Sequence, residues 1–307
     1  MNWQTLVHIP LSERKLGYED TFLSLGSCFA DNMAHKMKSS FFRVVTNPFG
    51  TLYNPMSIAR CFGKKCEYVQ EYNNVYHSMY HHGIFSSSTR DELTSLTDAS
   101  WQVCQRGIEE SSVVIVTWGT AWVYMLDGVV VANCHKMPAN RFERRRLTVQ
   151  EIVEVWKEII ERYEDKYWIL TVSPIRHVKD GMHENQLSKA VLLSAVDALQ
   201  QCFPSRVGYF PAYEIMMDEL RDYRFYAEDM LHPSDVAVGY IWQRFVETMM
   251  DGDTVREMAC FDQLYKDLHH RPLHPESEAY RLFREGLEER IRQMMVRYPW
   301  LKDELKR

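Results

Sequence analysis

Thr21-Phe22-Leu23-Ser24-Leu25-Gly26-Ser27-Cys28-Phe29-Ala30-Asp31 sets the reading of the whole chain. Its first five residues form a short apolar run of the kind that makes a buried strand, and from Phe29 onward Met33 and Met37 recur at helical spacing. A glycine followed by small nucleophilic side chains at such a junction places Ser27 and Cys28 at the carboxyl end of a strand and on a helix N-terminus. Free N–H groups and the helix dipole favour negative charge there. An acyl-transfer nucleophile belongs in that position. The competing reading is that Gly26 and Ser27 only make the turn and that Cys28 is a small core residue.

Four further runs have the same strand character: Phe42 to Thr46, Val113 to Trp118, Trp168 to Val172 and Val207 to Phe210. Helical patterns follow most of them. The clearest begins at Thr148, where Thr148 and Glu151 make a capping box and Ile152, Val155, Trp156, Ile159, Ile160 and Tyr163 form one apolar face. A second runs from Leu187 through Val191, Leu192 and Ala195 to Leu199. Strands alternating with helices imply right-handed crossovers and a three-layer α/β/α sandwich on a parallel sheet.

Residues 61–106 and 122–147 interrupt the alternation and are expected to be insertions over one end of the sheet. The second contains a hairpin with an Asp127-Gly128 turn. The main domain is expected to span residues 1–250. Beyond it, residues 251–307 read as a helical appendage in which Tyr280, Phe283, Leu287, Ile291 and Met294 make an apolar stripe. That stripe is expected to be covered by the first insertion or by a second copy of the chain, the latter making a homo-oligomer through the C-terminal helices.

The chain has 307 residues, 46% hydrophobic and 13% aromatic, with 13 glycines and 11 prolines, which excludes a stapled mini-protein, a disordered chain and a collagen-like repeat. A net charge of -6 gives no overall attraction to nucleic acid or to an anionic membrane, and neither is expected as a partner. No transmembrane run or leader pattern is read, and the seven irregularly spaced cysteines fit buried thiols in a reducing compartment. A cytoplasmic location is the expectation. The basic run Arg141, Arg144, Arg145 and Arg146 is read as a solvated face, and His269 to His274 as an exposed loop.

A second motif stands far along the chain, Asp229-Met230-Leu231-His232-Pro233-Ser234. An Asp three residues before a His can fold back onto Nδ1 and leave Nε2 facing a nucleophile as general base. An ordinary loop, with Ser234 or Asp235 capping the next helix, is the alternative. Ser173-Pro174-Ile175-Arg176-His177 follows the fourth strand, so Arg176 and His177 are expected in the same cleft, the guanidinium as a clamp for a substrate carboxylate or phosphate. His77, His81 and His82 are read as surface or pocket-lining residues; no thiol or carboxylate cluster accompanies them, so no metal is expected. Trp118 and Trp122 are read as core.

Gly26-Ser27-Cys28-Phe29-Ala30, with Asn47-Pro48-Phe49-Gly50-Thr51-Leu52-Tyr53-Asn54-Pro55 after the second strand, resembles the GSCFA-domain family of the SGNH (GDSL-like) hydrolase superfamily, over about Phe22 to Val246. The resemblance implies a flavodoxin-like sandwich of strand order 2-1-3-4-5. It implies an oxyanion-hole N–H at Gly50, and Asp229 and His232 as the catalytic acid–base pair. Laid without a gap on the superfamily's Gly-Asp-Ser-Leu, the chain has Cys28 at the serine position and Ser27 at the aspartate position, where Ser27 would cap the helix. Sliding by one residue restores Ser27 as nucleophile but breaks the glycine match, so Cys28 is preferred and Ser27 is its rival. The superfamily's third block, Gly-x-Asn-Asp, corresponds to Gly119-Thr120-Ala121-Trp122, which lacks the Asn. Thr120, Asn47 or Asn54 is left to supply that donor, and losing one commonly costs on the order of 10²–10³ in rate.

The function expected from all of this is hydrolysis or acyl transfer on an ester or thioester, with a small molecule or an acylated carbohydrate as substrate, by a covalent acyl-enzyme and without a cofactor. Next to His232 and on a helix N-terminus, the Cys28 thiol is expected to be acidified. The alternative is a weakly active or inactive glycan- or metabolite-binding module that kept the fold.

Overall fold

The computed structural model describes residues 4–10, 12 and 14–306. Five parallel strands form the central sheet: β1 (Thr21–Gly26), β2 (Arg43–Thr46), β3 (Val113–Trp118), β4 (Tyr167–Val172) and β5 (Val207–Phe210). Their order is 2-1-3-4-5, as expected. Register is fixed by pairs such as Leu23 with Val45, Ser24 with Ile115, and Ile169 with Ile115 and Gly208. Side chains alternate across it. Phe22, Val113, Ile115 and Ile169 join one buried cluster, while Leu23, Leu25, Val114, Val116, Trp168 and Leu170 join another.

The first cluster is covered by α1 (Cys28–Ser39), through Phe29, Met33 and Met37, and by a helix after β5 and the Asp229 loop, through Ile241 and Phe245. The second is covered by α2 (Arg90–Glu110), α3 (Val149–Arg162) and α4 (Met182–Cys202). The helix after β5 is α5 (Asp235–Met249). Helix α3 begins on the expected capping box, with Thr148 accepting from the Glu151 N–H at 3.2 Å and Glu151 accepting from the Thr148 N–H at 2.8 Å.

The first insertion is smaller than expected. Residues 90–106 belong to α2, which buries Leu93, Cys104, Gly107 and Ile108 and is the crossover helix between β2 and β3. Only the stretch before it, with short antiparallel strands Val69–Tyr72, Val75–Ser78 and Ser86–Ser87, stands outside the sandwich. The second insertion is the expected hairpin, Trp122–Leu126 with Val129–Val131, turning at Asp127 (φ 52°) and Gly128 (φ 77°). A third strand, Glu143–Arg146, pairs with it and carries three of the four arginines: Arg144 is exposed, Arg145 pairs with Glu151 and Arg146 with Glu184.

The C-terminal segment contains α6 (Gly252–Leu268) and α7 (Glu278–Arg297). Part of its stripe is covered by the main domain rather than by the first insertion. Leu287, Met258, Phe261, Leu264, Tyr298 and Leu301 lie in the same cluster as Phe22, Phe42 and Phe245, with Phe283, Ile291 and Met294 packed against it. The appendage therefore shares the core of the main domain. Among the described residues, no helix is long and apolar enough to cross a membrane. All seven cysteines are free, but only Cys61 and Cys104 are buried; Cys66, Cys202 and Cys260 are exposed.

Candidate active site

The turn after β1 depends on Gly26. Its φ is +140°, and a Cβ there would stand 2.1 Å from the Thr117 carbonyl oxygen, so no other residue fits. The Gly26 N–H donates to Asn47 Oδ1 at 2.8 Å, while Asn47 Nδ2 donates to Asp31 Oδ1 at 2.7 Å. Asn47 thus braces β1 against α1, with one of its two amide hydrogens spent on that bond. Ser27 is corrected. It occupies the N-cap position of α1, but its hydroxyl makes no capping bond; it is fully buried and Oγ has no partner.

Cys28, the next residue, is half-buried and opens onto a cleft of about 470 Å³ at the carboxyl ends of the strands. Tyr53, Asn54, Thr120, Trp122, His177 and His232 line the same cleft. Burial pushes the Cys28 thiol above its ordinary value, with Asp31 and Asp229 adding to the rise and the N–H groups of Cys28 and Phe29 opposing it. This reverses the expected acidification: desolvation at this depth outweighs the helix N-terminus.

His232 is held by a tight loop. The Leu231 and His232 N–H groups donate to Asp229 Oδ1 at 2.9 and 3.0 Å, and Asp229 Oδ2 lies 2.5 Å from His232 Nδ1. The two amides and the imidazole hold the Asp229 carboxyl down at about 2, the His232 N–H contributing most. With Nδ1 engaged, Nε2 is the nitrogen left for the cleft. Arg176 anchors this loop: its N–H donates to the Leu231 carbonyl at 3.3 Å, its guanidinium donates to the Met230 carbonyl, and its charge stands 4.3 Å from the Tyr226 ring centre. A guanidinium engaged in this way secures the loop that carries the base, and its remaining donors, the unpartnered Nε among them, stay at the wall of the cleft.

The Gly50 N–H donates to the Asn47 carbonyl at 2.7 Å, so it is engaged within its own turn rather than aimed at an oxyanion. Gly50 is required all the same, because its φ is +73° and a Cβ would stand 2.3 Å from His82 Cβ. The N–H groups of Gly119 and Thr120 both donate to the Tyr53 carbonyl, at 2.8 and 3.0 Å. The Thr120 hydroxyl lies 3.1 Å from Ser188 Oγ and accepts from the Trp122 N–H at 3.1 Å. Asn54 accepts from the Ser57 N–H at 2.8 Å and donates one amide hydrogen to Ser57 Oγ at 3.0 Å, leaving the second amide hydrogen without a protein acceptor. The Cys28 and Phe29 N–H groups have no intrahelical acceptor, as at any helix start.

His177 faces the cleft with Nε2 buried and unpartnered, and burial, Lys189 and His232 push its imidazole down to about 3. It is a neutral ring at ordinary pH. The histidines of the first insertion lie elsewhere: His77 stacks near His135, His81 lies between Phe49 and Phe85, and His82 packs on Gly50. Among the described residues, no group of three or more His, Cys, Asp or Glu side chains is arranged to hold a metal ion. Trp122 is a cleft wall rather than core, with the Arg144 guanidinium 4.0 Å from its ring centre; Trp118 is fully buried, as expected.

A family model described as GSCFA family matches residues 21–245, from the first residue of β1 to well inside α5, and so takes in every side chain named around the cleft. The chain belongs to the GSCFA family. A second model, GSCFA domain protein, C-terminal domain, matches residues 261–306. No curated protein matches the chain.

In this GSCFA chain the residue that sequence reasoning missed is Lys189, 1% exposed on α4. Its Nζ donates to the carbonyls of Gly119 at 2.7 Å and Ser173 at 2.6 Å. A signal was present: Asn185, Lys189, Leu192 and Val196 share one buried face at helical spacing, so a lysine stood in the register of an apolar stripe. The GSCFA cleft therefore combines a thiol on a helix N-terminus, a carboxylate-held imidazole and a neutral second imidazole, with Lys189 buried behind the Gly119 and Ser173 carbonyls. Such a set can move a proton and stabilise a developing anion.

Proposed function

We propose that this GSCFA protein is a cytoplasmic, SGNH-type hydrolase or acyltransferase that opens ester or thioester bonds, acylated carbohydrates among them, through an acyl-cysteine at Cys28. One observation carries the reading: Cys28 and the Asp229-held His232 line one cleft, while the hydroxyl of the rival nucleophile Ser27 is sealed beneath it. In this mechanism His232 Nε2 takes the thiol proton, and the sulfur attacks the substrate carbonyl. The Cys28 and Phe29 N–H groups and the free amide hydrogen of Asn54 face the oxyanion in place of the missing third-block Asn. Collapse breaks the bond to the leaving oxygen or sulfur, which receives the proton from His232. Water or an acceptor hydroxyl, deprotonated by the same imidazole, then releases the acyl group and restores the thiol.

The test pairs fluorophosphonate and iodoacetamide labelling, read by intact mass, with hydrolysis of p-nitrophenyl acetate and an acetyl thioester. Cys28→Ala is expected to lose at least about 10³ of turnover and its alkylation, and His232→Gln about 10²–10⁴ of turnover. Activity surviving in Cys28→Ala but not in Ser27→Ala would assign the chemistry to the hydroxyl. The second reading, a binding module, is favoured by the raised thiol; a wild type with neither turnover nor faster alkylation at Cys28 than at the other cysteines would support it instead.

A further inference from the structure

A second cavity, of about 160 Å³, lies between the first half of α2 and the first insertion and shares no lining residue with the catalytic cleft. Phe49, Tyr80 and Trp101 give it aromatic walls. A void of about 150 Å³ lined by apolar side chains takes up one benzene molecule, so this one has room for a single six-membered ring.

The polar part of the lining is cationic and incompletely paired. Arg60 and Lys64 have no ion-pair partner among the described residues, Lys65 is paired with Asp98 at 2.5 Å, and Glu67 is the one carboxylate on the wall. Arg60 is fixed in place: its guanidinium stands 3.9 Å from the Tyr80 ring centre and donates to the Val130 carbonyl at 3.3 Å, while its buried Nε has no partner. His81, 6% exposed, places Nδ1 2.7 Å from Ser78 Oγ and leaves Nε2 buried and unpartnered. Unmet polar atoms of this kind cost free energy, and two of them around one cavity call for something that meets them.

We propose that this cavity is a binding site for a small aromatic carboxylate, one ring in size, distinct from the catalytic cleft. The ring packs among Phe49, Tyr80 and Trp101, and the carboxylate meets the charges of Arg60 and Lys64. The imidazole of His81, which burial keeps neutral at ordinary pH, adds a polar partner without adding charge. With Lys65 neutralised by Asp98, the remaining charges of Arg60, Lys64 and Glu67 leave one positive charge in excess, which suits a single carboxylate.

The experiment titrates the full chain with sodium benzoate by ligand-observed NMR, with benzyl alcohol as a neutral ring of similar size, and locates the bound ring by iodoacetamide labelling. Cys66 lines this cavity and is exposed, whereas Cys28 and Cys134 line the cleft. Benzoate is expected to bind with a Kd of about 1 mM or tighter, and benzyl alcohol at least about tenfold more weakly. At about ten times its Kd, benzoate is expected to slow Cys66 alkylation about tenfold and to leave Cys28 and Cys134 unchanged. Lys64→Gln, at an exposed side chain, is expected to weaken benzoate about threefold to fivefold. Protection of Cys28 or Cys134 in place of Cys66 would put the anion in the cleft. Equal affinity for the two rings would leave an apolar void, and neither binding nor protection would leave water as the occupant. Each of these three results overturns the proposal. Turnover is not measured, so the failure of the acyl-transfer reading and the failure of this one are told apart.

Discussion

The two ends of the central sheet are built on different terms. Near the amino ends of β1 and β2, rings fill the space. Tyr18 stacks on Phe42 at 4.4 Å, Phe261 stands 4.4 Å from Tyr18 and 5.0 Å from Tyr298, and the Tyr18 hydroxyl donates to the Ser40 carbonyl at 2.8 Å. At the carboxyl ends the chain buries Ser27 Oγ, Trp122 Nε1, Arg176 Nε and His177 Nε2 without partners, together with the Lys189 ammonium. Arg43 Nε, Trp168 Nε1 and Tyr298 Oη also lack partners toward the amino ends, but the buried lysine and the second imidazole lie at the carboxyl ends. Where burial and hydrogen bonding disagree, a fold has usually been shaped by something other than its own stability.

Acid should separate the two ends most strongly. Burial holds the imidazoles of His81 and His135 down at about 4 and that of His177 at about 3, against an ordinary 6.5, and all three belong to the cleft side or its neighbouring insertions. Between pH 6.5 and 4 the unfolded chain binds protons that the folded one refuses, so their contribution is complete above about pH 6.5 and is lost as the pH falls. Each histidine contributes at most about 1.4 kcal/mol per pH unit, and the three together about 4. Hydrogen exchange at pH 5 is expected to show β3, β4 and the inserted sheets opening before α6 and α7. Uniform opening would erase the contrast.

Phe261→Ala probes the other end. Truncating a fully buried ring there is expected to cost about 3–5 kcal/mol and to lower the melting temperature in one transition, with the pH profile of Cys28 alkylation unmoved. A separate early transition confined to residues 252–306 would show that the C-terminal helices melt independently despite their shared cluster.

The contrast also explains what could be read from the sequence. The strands and the α3 capping box were legible because apolar alternation and Thr148 with Glu151 are local signals; strand order came with the family resemblance. Helix α2 was not, because between Leu93 and Ile108 its buried face carries only Thr97, Ser100, Cys104 and Gly107. The signal that could have found it is Thr89 with Glu92, where Thr89 Oγ1 accepts from the Glu92 N–H at 3.3 Å. Around the cleft, Cys28, Asp229 and His232 were legible as motifs. Asn47, Gly50 and Arg176 were placed in the right neighbourhood, but their bonds to Asp31, to the Asn47 carbonyl and to the Met230 carbonyl join groups that adjoin them only in the fold. Lys189 acts on carbonyls 70 and 16 residues away, a pairing no local pattern encodes.

The smallest expected effect is also the sharpest test of the disordered accounting at the carboxyl end. Were Ser27 a helix cap, Ser27→Ala would cost about 1 kcal/mol, as such losses do. The hydroxyl instead makes no bond to α1 and lies fully buried beside Gly119. Removing an unsatisfied buried polar group relieves a desolvation cost and opens a gap no larger than one oxygen, and these nearly cancel. Ser27→Ala is therefore expected to change stability by less than about 0.5 kcal/mol, or to raise it slightly, in urea unfolding with an unchanged m-value. A loss of 1 kcal/mol or more would mean that the hydroxyl has a partner in solution. The Ser27 turn would then be satisfied, and Trp122, Arg176, His177 and Lys189 would be left to mark this end as different.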